Sequence, residues 1–444
     1  MTLVESYKQR LNISEAVYKK AHNGEDFTDN QKITVARVLA NSSAFLTEAF
    51  SNSTGTQRSD MGSFKKFVLD ITTVALPSLI ANKLVIVKPM SAITGYIQYL
   101  SFTAGSNKGT VKQGDVFNSP FALGAMDEGR MNYTADKVVE LIAADATEFA
   151  PAWTPVVDNK VELLKKDGTA WDSKPLVDGK VTELTAGDYI KARYIYNNVD
   201  IPQNDLPILN AKMTGIALEA KARRIAVYYS QMAAFQAKIE TGTDLGKVLT
   251  DQACAELAYE IDSEVVKTLD DGAGNAVAST TFNKRVPAGV STAEHYEGFA
   301  AVVEQASQII YDKTQRYGAN YLVCASDVKT LFPLMRGWKA SENIQRNGPY
   351  LAGTLNGIEV YVSPILEKGR FFVGFNGEDL RASAAVYAPF MAIVPTQLLG
   401  YADGGMSQGF STMYDIKLLN PALLVAGKVV DEDQVVVTKV ADKS

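Results

Sequence analysis

The chain has 444 residues, of which 46% are hydrophobic and 21% charged, and its formal net charge is −6. These proportions are typical of a globular protein and exclude a disordered or fibrous chain. An acidic chain offers no overall basic field for holding nucleic acid. Two cysteines (Cys254, Cys324) and two histidines (His22, His295) are too few to predict a structural zinc site or a disulfide framework.

Targeting and membrane signals are not apparent in the sequence. Residues 1–20 mix charged with apolar residues and lack the apolar core of a signal peptide. No later run approaches the ~18 apolar residues that a membrane-spanning helix needs. We therefore expect a soluble protein that is made and kept in the cytoplasm.

Residues 1–63 are predicted to form an N-terminal arm. Helical patterns over 3–20 and 30–50 flank a turn at Asn23-Gly24, and a polar run follows over 51–57. Helices of this length are marginal in water unless they pack on something. The arm is either a frayed terminus or a segment that becomes ordered only by docking on a neighbouring copy.

The dense core begins at about residue 64. Apolar residues recur at helical spacing over 67–80, with Pro77 as an interruption, and strand patterns follow over 84–90 and 93–102. Residues 103–136 then contain five glycines and no sustained periodicity. So long an irregular segment is predicted to be a binding loop or an extended flap that another chain covers.

A small β-rich insertion is predicted over about 144–197. Strand patterns at 156–157, 161–164, 181–184 and 189–196 are separated by the turn pairs Asp158-Asn159, Asp167-Gly168 and Asp178-Gly179. Trp153 and Trp171 lie in this segment. They could form a sugar-stacking platform, but filling a core that has few other large residues is the favoured interpretation.

The rest of the chain is predicted to be mixed α/β. After an extended stretch over 208–229, Ser230 can cap a helix with Met232, Phe235 and Ile239 on one face, and a second helix covers 245–269. A capping box at Ser291 and Glu294 begins a third helix, which continues to about residue 316. Strand patterns follow at 321–324, 358–362, 371–375, 385–387 and 416–419. Cys324 lies in the first of them, which favours a core residue over a nucleophile.

No pattern predicts a catalytic, cofactor-binding or metal-binding residue. Residues 353–357 lack the Lys-Ser/Thr ending of a phosphate loop, and 270–275 resembles a calcium loop without its acidic twelfth position. Serine nucleophile elbows are absent, and no carboxylate pair is singled out as an acid/base couple. We therefore expect no enzyme activity and no cofactor. The arm, flap and insertion on an ordered core suggest parts that an assembly of identical copies stabilises.

Several blocks, in order, resemble the major capsid proteins of large contractile-tailed bacteriophages. The first is LIANKLVIVKPMSAITG at 79–95, which is similar to an "LIA…V-x-P-M…TG" segment of that family. Further blocks lie at 220–230 with the helix after it, in the paired helix at 244–269, and at 353–362 and 387–390. The resemblance covers roughly residues 64–425. It does not extend to the arm or to residues 151–197.

The resemblance implies an α+β, HK97-like capsid fold with a β-rich insertion. On this analogy the chain divides into an arm (1–63), the start of a peripheral domain (64–102), an extended loop (103–206), and a return strand with the spine helix and a second helix (207–285). A mainly axial domain (286–425) and a tail (426–444) follow. A hydrophobic-x-Glu pattern resembles the sites at which family members are trimmed, and it occurs at Leu46-Thr47-Glu48, Ile13-Ser14-Glu15 and Ile365-Leu366-Glu367.

The function implied is an icosahedral shell that encloses the double-stranded DNA of a tailed phage. The main partner would be the chain itself, in hexameric and pentameric capsomers, and portal, scaffold and decoration proteins are further candidates. No membrane and no sequence-specific DNA contact is implied, and the protein would be assembled in the bacterial cytoplasm and reside in the virion. Two alternatives remain: an encapsulin-like nanocompartment shell, and a carbohydrate-binding module that rests on Trp153 and Trp171.

Overall fold

The computed structural model contains both helices and strands, so the expected α+β class is confirmed. It describes residues 3–21, 24–51, 69, 73, 79–117, 133, 136–168, 170–182, 184–196, 207–274, 279–314, 316–341, 348–396 and 398–431. Residues 52–57 of the predicted polar run, most of the helical pattern at 67–80, much of the flap and the tail from 432 lie outside these residues.

Seven α-helices are described, and we number them in chain order. They are α1 (Leu3–Ser6), α2 (Lys8–Ala21), α3 (Asp29–Ser51), α4 (Ala81–Leu84), α5 (Gln231–Glu240), α6 (Leu245–Gly274) and α7 (Thr292–Thr314). Short 3-10 helices lie at Val157–Asn159, Val328–Leu334, Leu380–Ala382 and Pro421–Leu423.

Nineteen strands are described, in four sheets. They are β1 (Ile86–Val87), β2 (Thr94–Ala104), β3 (Val116–Phe117), β4 (Lys137–Leu141), β5 (Lys160–Lys165), β6 (Trp171–Pro175), β7 (Tyr189–Ile195), β8 (Leu209–Glu219), β9 (Lys221–Ser230), β10 (Ser279–Asn283), β11 (Tyr321–Ala325), β12 (Trp338–Ala340), β13 (Tyr350–Leu355), β14 (Ile358–Ser363), β15 (Arg370–Gly374), β16 (Ala385–Pro395), β17 (Leu399–Gly400), β18 (Gly405–Leu418) and β19 (Leu424–Val430).

The chain forms two compact units. Unit 1 comprises Met1–Ile97 and Ile216–Ser444, and unit 2 comprises Gln98–Gly215. The division falls inside β2 and β8, which are hydrogen-bonded neighbours in a three-stranded sheet of order β3-β2-β8. Unit 2 is therefore an insertion into unit 1.

A seven-stranded sheet of order β10-β19-β15-β11-β14-β13-β12 forms the larger part of the core of unit 1. Every residue of β11 is buried, including Cys324, so the prediction of a core cysteine is confirmed. Phe299 of α7 packs edge-on against Phe332 and Phe371, with ring centroids 5.8 and 5.1 Å apart. The sequence analysis did not identify β10, β12, β13 or β19, and residues 426–430, which it placed in the tail, belong to this sheet.

The second sheet of unit 1 has the order β1-β16-β18-β17, with β9 also paired to β18. Helix α6 covers Ile393 and Phe410, and Leu46 of α3 packs with Met391 and Val394. Strand β16 thus contacts two different helices, and the register shift between Met391 and Val394 interrupts its two-residue alternation.

Helix α6 continues one turn beyond its predicted end. The apolar stripe predicts an end at the run 270–275, whereas Asp270 to Gly274 are helical in the structure. Gly272 and Ala273 are buried, and a Cβ at Gly272 would lie 2.6 Å from Leu418 Cδ1. Small residues here let the helix approach β18 closely, and this packing outweighs the low helix propensity of glycine.

The N-terminal helices pack on the chain's own core. The sequence analysis expected their apolar positions to need another copy, but the structure buries Leu11, Val35, Val38 and Leu39 within unit 1. The Asn41 side-chain amide donates to the Met90 and Phe390 carbonyl oxygens, each at 2.8 Å. The expectation that only a neighbour could cover these helices is wrong, because their apolar stripe is covered by the same chain.

Unit 2 contains the predicted β-rich insertion. Its sheet has the order β4-β7-β5-β6, around a core formed by side chains such as Val161, Leu163 and Ala192. Asp158, Asn159, Gly168, Asp178 and Gly179 have positive φ, as the predicted turn pairs require. The sequence patterns predict neither β4 nor β6, and among the described residues of the predicted strand 181–184, Val181 makes an isolated bridge with Phe149.

Candidate assembly surfaces

The most exposed apolar helix face described in unit 1 belongs to α5. Met232, Phe235 and Ile239 are 75%, 63% and 67% exposed, and the helix has no buried residue. Their spacing of three and four places all three side chains on one face. We call this set the α5 stripe. An exposed apolar stripe on a short helix is typical of an interaction surface, because such a helix gains most of its stability from packing.

The predicted cap holds the first turn of α5 in place. Ser230 has extended backbone angles, and its hydroxyl accepts a hydrogen bond from the Ala233 amide at 3.2 Å, which confirms the capping role. The Gln231 amide donates to the Gly404 carbonyl at 2.9 Å. The stripe is thus attached to the end of β9 at a fixed angle.

A charged network braces the strand that carries α5. Arg223 of β9 donates from Nη2 to both carboxylate oxygens of Glu264 in α6, at 2.7 and 3.0 Å. The Tyr414 hydroxyl of β18 donates to the same carboxylate at 2.6 Å, and the guanidinium lies 5.2 Å from the Tyr414 ring centroid. Burial, followed by the bond to Glu264, raises the pKa of Tyr414, so its hydroxyl stays protonated. The network therefore links strands β9 and β18 to helix α6.

Strand β9 lies at an edge of its sheet. Among the described strands it pairs only with β18, from Lys221 opposite Tyr414 to Ser230 opposite Gly405. Its residues alternate between half-buried and exposed, and Lys221 and Arg224 are among the exposed ones. Charged side chains on an edge strand discourage indiscriminate pairing with other chains.

The two tryptophans of unit 2 occupy different environments. Trp153 packs on the insertion core and lies 5.2 Å from the Tyr196 ring, whereas Trp171 pairs with Leu164 on β5 and has the Arg193 guanidinium 4.0 Å above its ring. The Trp153 amide donates to the Tyr194 hydroxyl at 3.0 Å. Trp153 thus packs on the insertion core as expected, whereas Trp171 is half-buried and is not part of that core.

A buried lysine joins the loop after β2 to the insertion. Lys108 is 2% exposed, donates to the Tyr133 carbonyl at 2.9 Å, and lies 5.6 and 5.0 Å from the Trp153 and Tyr196 ring centroids. Desolvation lowers its pKa to about 8, and Asp136 partly opposes this shift. A Cβ at the next residue, Gly109, would lie 2.1 Å from the Val139 carbonyl oxygen, so only glycine fits there. These contacts hold the loop against β4.

The residues that the sequence analysis considered for chemistry are not brought together. Cys324 is in the core and Cys254 lies on α6, where burial and then Asp251 raise its pKa to about 11. His295 Nε2 bonds the Asn283 carbonyl oxygen at 2.8 Å, and His22 lies outside the described residues. In the part of the chain that the structure describes, no three His, Cys, Asp or Glu side chains gather as metal ligands. None of the described helices combines the length and apolarity needed to cross a membrane.

The sequence analysis identified the residues of the α5 stripe but not their exposure. Their periodicity indicated a helix with one apolar face, which usually packs on a core. The sequence feature that could have indicated exposure is the shortness of this helix, which begins after the Ser230 cap and ends before Gly242. A ten-residue helix can present its apolar face to a core or to a partner, and periodicity does not distinguish the two.

Relatives of this chain include curated proteins named "Major capsid protein". The protein of Escherichia phage AR1 is 22% identical over 395 residues, which cover 80% of this chain and 75% of that protein. The protein of Enterobacteria phage T6 is also 22% identical over 395 residues, which cover 80% of this chain and 78% of that protein. A solved chain from Mycobacterium phage Bobi is similar with a TM-score of 0.41 and 11% identity, over 80% of this chain and 90% of that one.

The family described as "Major capsid protein Gp23" matches residues 61–441, which is most of the chain. The match begins close to the start of the resemblance seen in the sequence and includes every block on which that resemblance rested. It confirms the family resemblance from which the HK97-like capsid fold was expected. The chain belongs to the Gp23 family, the major capsid proteins of tailed phages.

Proposed function

We propose that the chain assembles with copies of itself, through capsomers of six and five subunits, into an icosahedral shell around the double-stranded DNA genome of a tailed phage. Assembly takes place in the host cytoplasm, and the protein then resides in the virion. The observation that carries this proposal is the α5 stripe, an exposed apolar face on a braced frame. Fully burying such a side chain contributes about 1.5–3 kcal/mol, and a shell repeats the contact many times.

We assign the parts of the chain as follows. The extended loop (103–206) and the outer face of the N-terminal arm (1–63) contact neighbouring subunits. That outer face carries Ile13, Ile33 and Phe45, which are 52%, 47% and 41% exposed although the inner face is buried. The segments 64–102 and 207–285 form the peripheral domain, and 286–425 surrounds each capsomer centre.

The shell contains DNA without reading its sequence and without catalysis. A net charge of −6 repels a polyanion, which suits a container that must confine DNA without adhering to it. Portal, scaffold and decoration proteins are the further partners proposed for such a shell. The subunit itself is proposed to carry no catalytic activity.

The test compares Phe235→Ser with Tyr311→Ser. Tyr311 is an aromatic residue on another helix and is 48% exposed, so it controls for the loss of a surface aromatic side chain. We expect Phe235→Ser to reduce the yield of closed particles at least tenfold in electron microscopy, while its circular dichroism stays that of the wild type. Tyr311→Ser should assemble normally. Wild-type yields from Phe235→Ser would contradict the role of the stripe.

A further inference from the structure

Helix α6 presents an acidic outer face on unit 1. The side chains that face solvent between residues 248 and 260 lie along one side of the helix and include Val248, Asp251, Ala255, Glu256 and Glu260. On the opposite side, Leu257 and Ile261 are buried. We call the exposed set the α6 outer face, and neither the sequence analysis nor the shell function proposed above uses it.

The charges of the α6 outer face are incompletely balanced within the subunit. Asp251 and Glu256 form no ion pair with any residue that the structure describes. Glu260 interacts with the charge of Arg223, but that guanidinium already donates two hydrogen bonds to Glu264. Glu256 and Glu260 are four residues apart, a spacing at which like charges repel each other and destabilise a helix. A cationic partner is therefore favoured on this face.

Helix α2, in the N-terminal arm, presents a basic outer face. Its exposed side chains include Lys8, Ile13, Ala16 and Lys20. Leu11 and Tyr18, on the opposite side, are buried in unit 1. In the described part of the chain, neither Lys8 nor Lys20 has an ion-pair partner, whereas Lys19 pairs with Asp26 at 2.6 Å. We call the exposed set the α2 outer face.

The two faces match in charge and in length. A helix rises about 1.5 Å per residue, so Lys8 and Lys20 lie about 18 Å apart along the axis of α2. Asp251 and Glu260 lie about 14 Å apart along α6 by the same rise. A lysine side chain has a flexible four-carbon stem, which spans the remaining difference at each end. The two lysines of one copy can therefore meet the carboxylates of another.

Small and apolar residues accompany these charges. Ala16 on α2 and Ala255 on α6 have no bulky side chain, which lets two helix axes approach to about 8–10 Å. Ile13 and Val248 are each 52% exposed, so contact between the faces also removes apolar surface from water. Within one subunit the two faces do not meet, because both are exposed to solvent there. Their complementary partner is another copy.

We propose that the α2 outer face of one copy docks on the α6 outer face of a neighbouring copy during assembly. This contact rests on the proposed shell function, and it specifies what the outer face of the arm touches. A second copy is the occupant because the same chain supplies both signs of charge. The two faces are different patches, so the contact is head-to-tail, and such contacts close into rings when the rotation between copies allows. Capsomers of six and five subunits are rings of this kind.

The first test reverses the charges. Lys8→Glu with Lys20→Glu, and separately Asp251→Lys with Glu256→Lys, should each reduce the yield of closed particles at least tenfold in electron microscopy. All four substitutions together should restore most of the wild-type yield, because opposite charges then face each other again. The control is Lys368→Glu, at an exposed lysine between β14 and β15, which should assemble normally.

Normal yields from both pairs of substitutions would overturn the proposal. A combined variant that recovers no particles would do the same, because the charges would then serve another partner, such as a scaffold protein. Substitutions at exposed positions usually change stability little, and circular dichroism of the free subunits checks this. If a reversed variant does not fold, the neutral variants Lys20→Gln and Glu256→Gln replace it and should still lower the yield.

Zero-length cross-linking separates this contact from shell formation. Carbodiimide joins a lysine to a carboxylate only where the two touch, so a mixture of ¹⁵N-labelled and unlabelled subunits reveals links between copies. We expect mass spectrometry to find mixed-label links from Lys8 or Lys20 to Glu256. Particles without these links would overturn the contact and leave the proposed function intact. Links without particles would contradict the proposed function and leave the contact in place, and the absence of both would overturn both.

Discussion

At the scale of single residues, the structure contains buried polar groups that composition does not reveal. Asp262 is fully enclosed on α6, and its carboxylate oxygens accept from the Ala81 and Ile80 amides at 3.0 and 3.3 Å. Asp262 thereby provides acceptors for the free backbone N–H groups at the start of α4, where no local side chain caps the helix. In the sequence, Asp262 is one of 50 acidic residues and nothing distinguishes it.

The first prediction is that Asp262 makes stability depend on pH. Burial raises the pKa of its carboxyl from 3.8 to about 7, although the two amide bonds oppose this shift. A raised pKa means that the fold favours the protonated acid, so its stabilising effect is complete below pH 4 and is lost as the pH rises through 7. Relative to Asp262→Asn, the free energy of unfolding of the wild type should fall over this range, by up to about 1.4 kcal/mol per pH unit. Urea denaturation at several pH values measures this. If the free energies of unfolding of the wild type and of Asp262→Asn changed with pH in the same way, the prediction would be contradicted.

The second prediction concerns Gly427 in β19. It is directly opposite Phe371, and a Cβ at Gly427 would lie 2.1 Å from the Phe371 ring. Gly427→Ala should lower the free energy of unfolding by about 1–3 kcal/mol, because the buried ring must leave its place. Gly400→Ala, in β17, is the matched control, since no atom lies within 4 Å of its Cβ position. Equal stabilities of the two variants would show that the sheet tolerates the larger side chain.

At the scale of elements, the placement of the N-terminal helices differs most from the sequence-based expectation. Helix α3 places Leu39 in the core of unit 1, and Gln31 near its start donates to the Tyr18 hydroxyl of α2 at 3.1 Å. The Tyr18 and Phe27 rings lie 4.7 Å apart and hold the turn between the helices. Both helices are thus anchored before any neighbour is present.

The third prediction follows from this packing. Leu39→Ala should lower the free energy of unfolding of the free subunit by about 2–5 kcal/mol, because it removes a fully buried side chain and leaves a cavity. Ile33→Ala on the same helix should change it little, since Ile33 is 47% exposed. Denaturant unfolding of unassembled subunits gives both values. If the two substitutions lowered the free energy of unfolding by the same small amount, the arm would not be packed on the core of the free subunit.

At the scale of the whole molecule, the chain consists of a unit with a large core and a second unit inserted into it. Unit 1 contains the seven-stranded and five-stranded sheets with all seven described helices, and unit 2 has its own small core. Since the chain leaves and re-enters unit 1 through the paired strands β2 and β8, unit 1 does not need unit 2 for its own connectivity.

The fourth prediction is that unit 1 folds without unit 2 but does not form a shell. Replacing residues 98–215 by an Asn-Gly turn joins two strands that are already neighbours. We expect a soluble protein with a cooperative thermal transition that yields no closed particles, because the extended loop is proposed to contact neighbouring subunits. Closed particles of normal size from this variant would exclude that role for unit 2.

Local chemistry alone determined much of this protein. Turn pairs such as Asp178-Gly179, the Ser230 cap and the helical period of Phe299, Val303 and Ile310 act over a few residues, so the sequence specified them directly. The ordered blocks between residues 79 and 390 likewise pointed to the family, because their residues and their order are properties of the sequence itself.

Only the tertiary structure determined the features that depend on contacts between residues far apart in the sequence. Strand β19 is neighboured by β10 and β15, some 150 and 55 residues away, and it was missed because its pattern is unremarkable until those strands flank it. The exposed α5 stripe and the buried stripe of α3 have the same apolar periodicity, and only packing distinguishes them. Periodicity shows that a face is apolar, but what covers that face is a property of the whole fold.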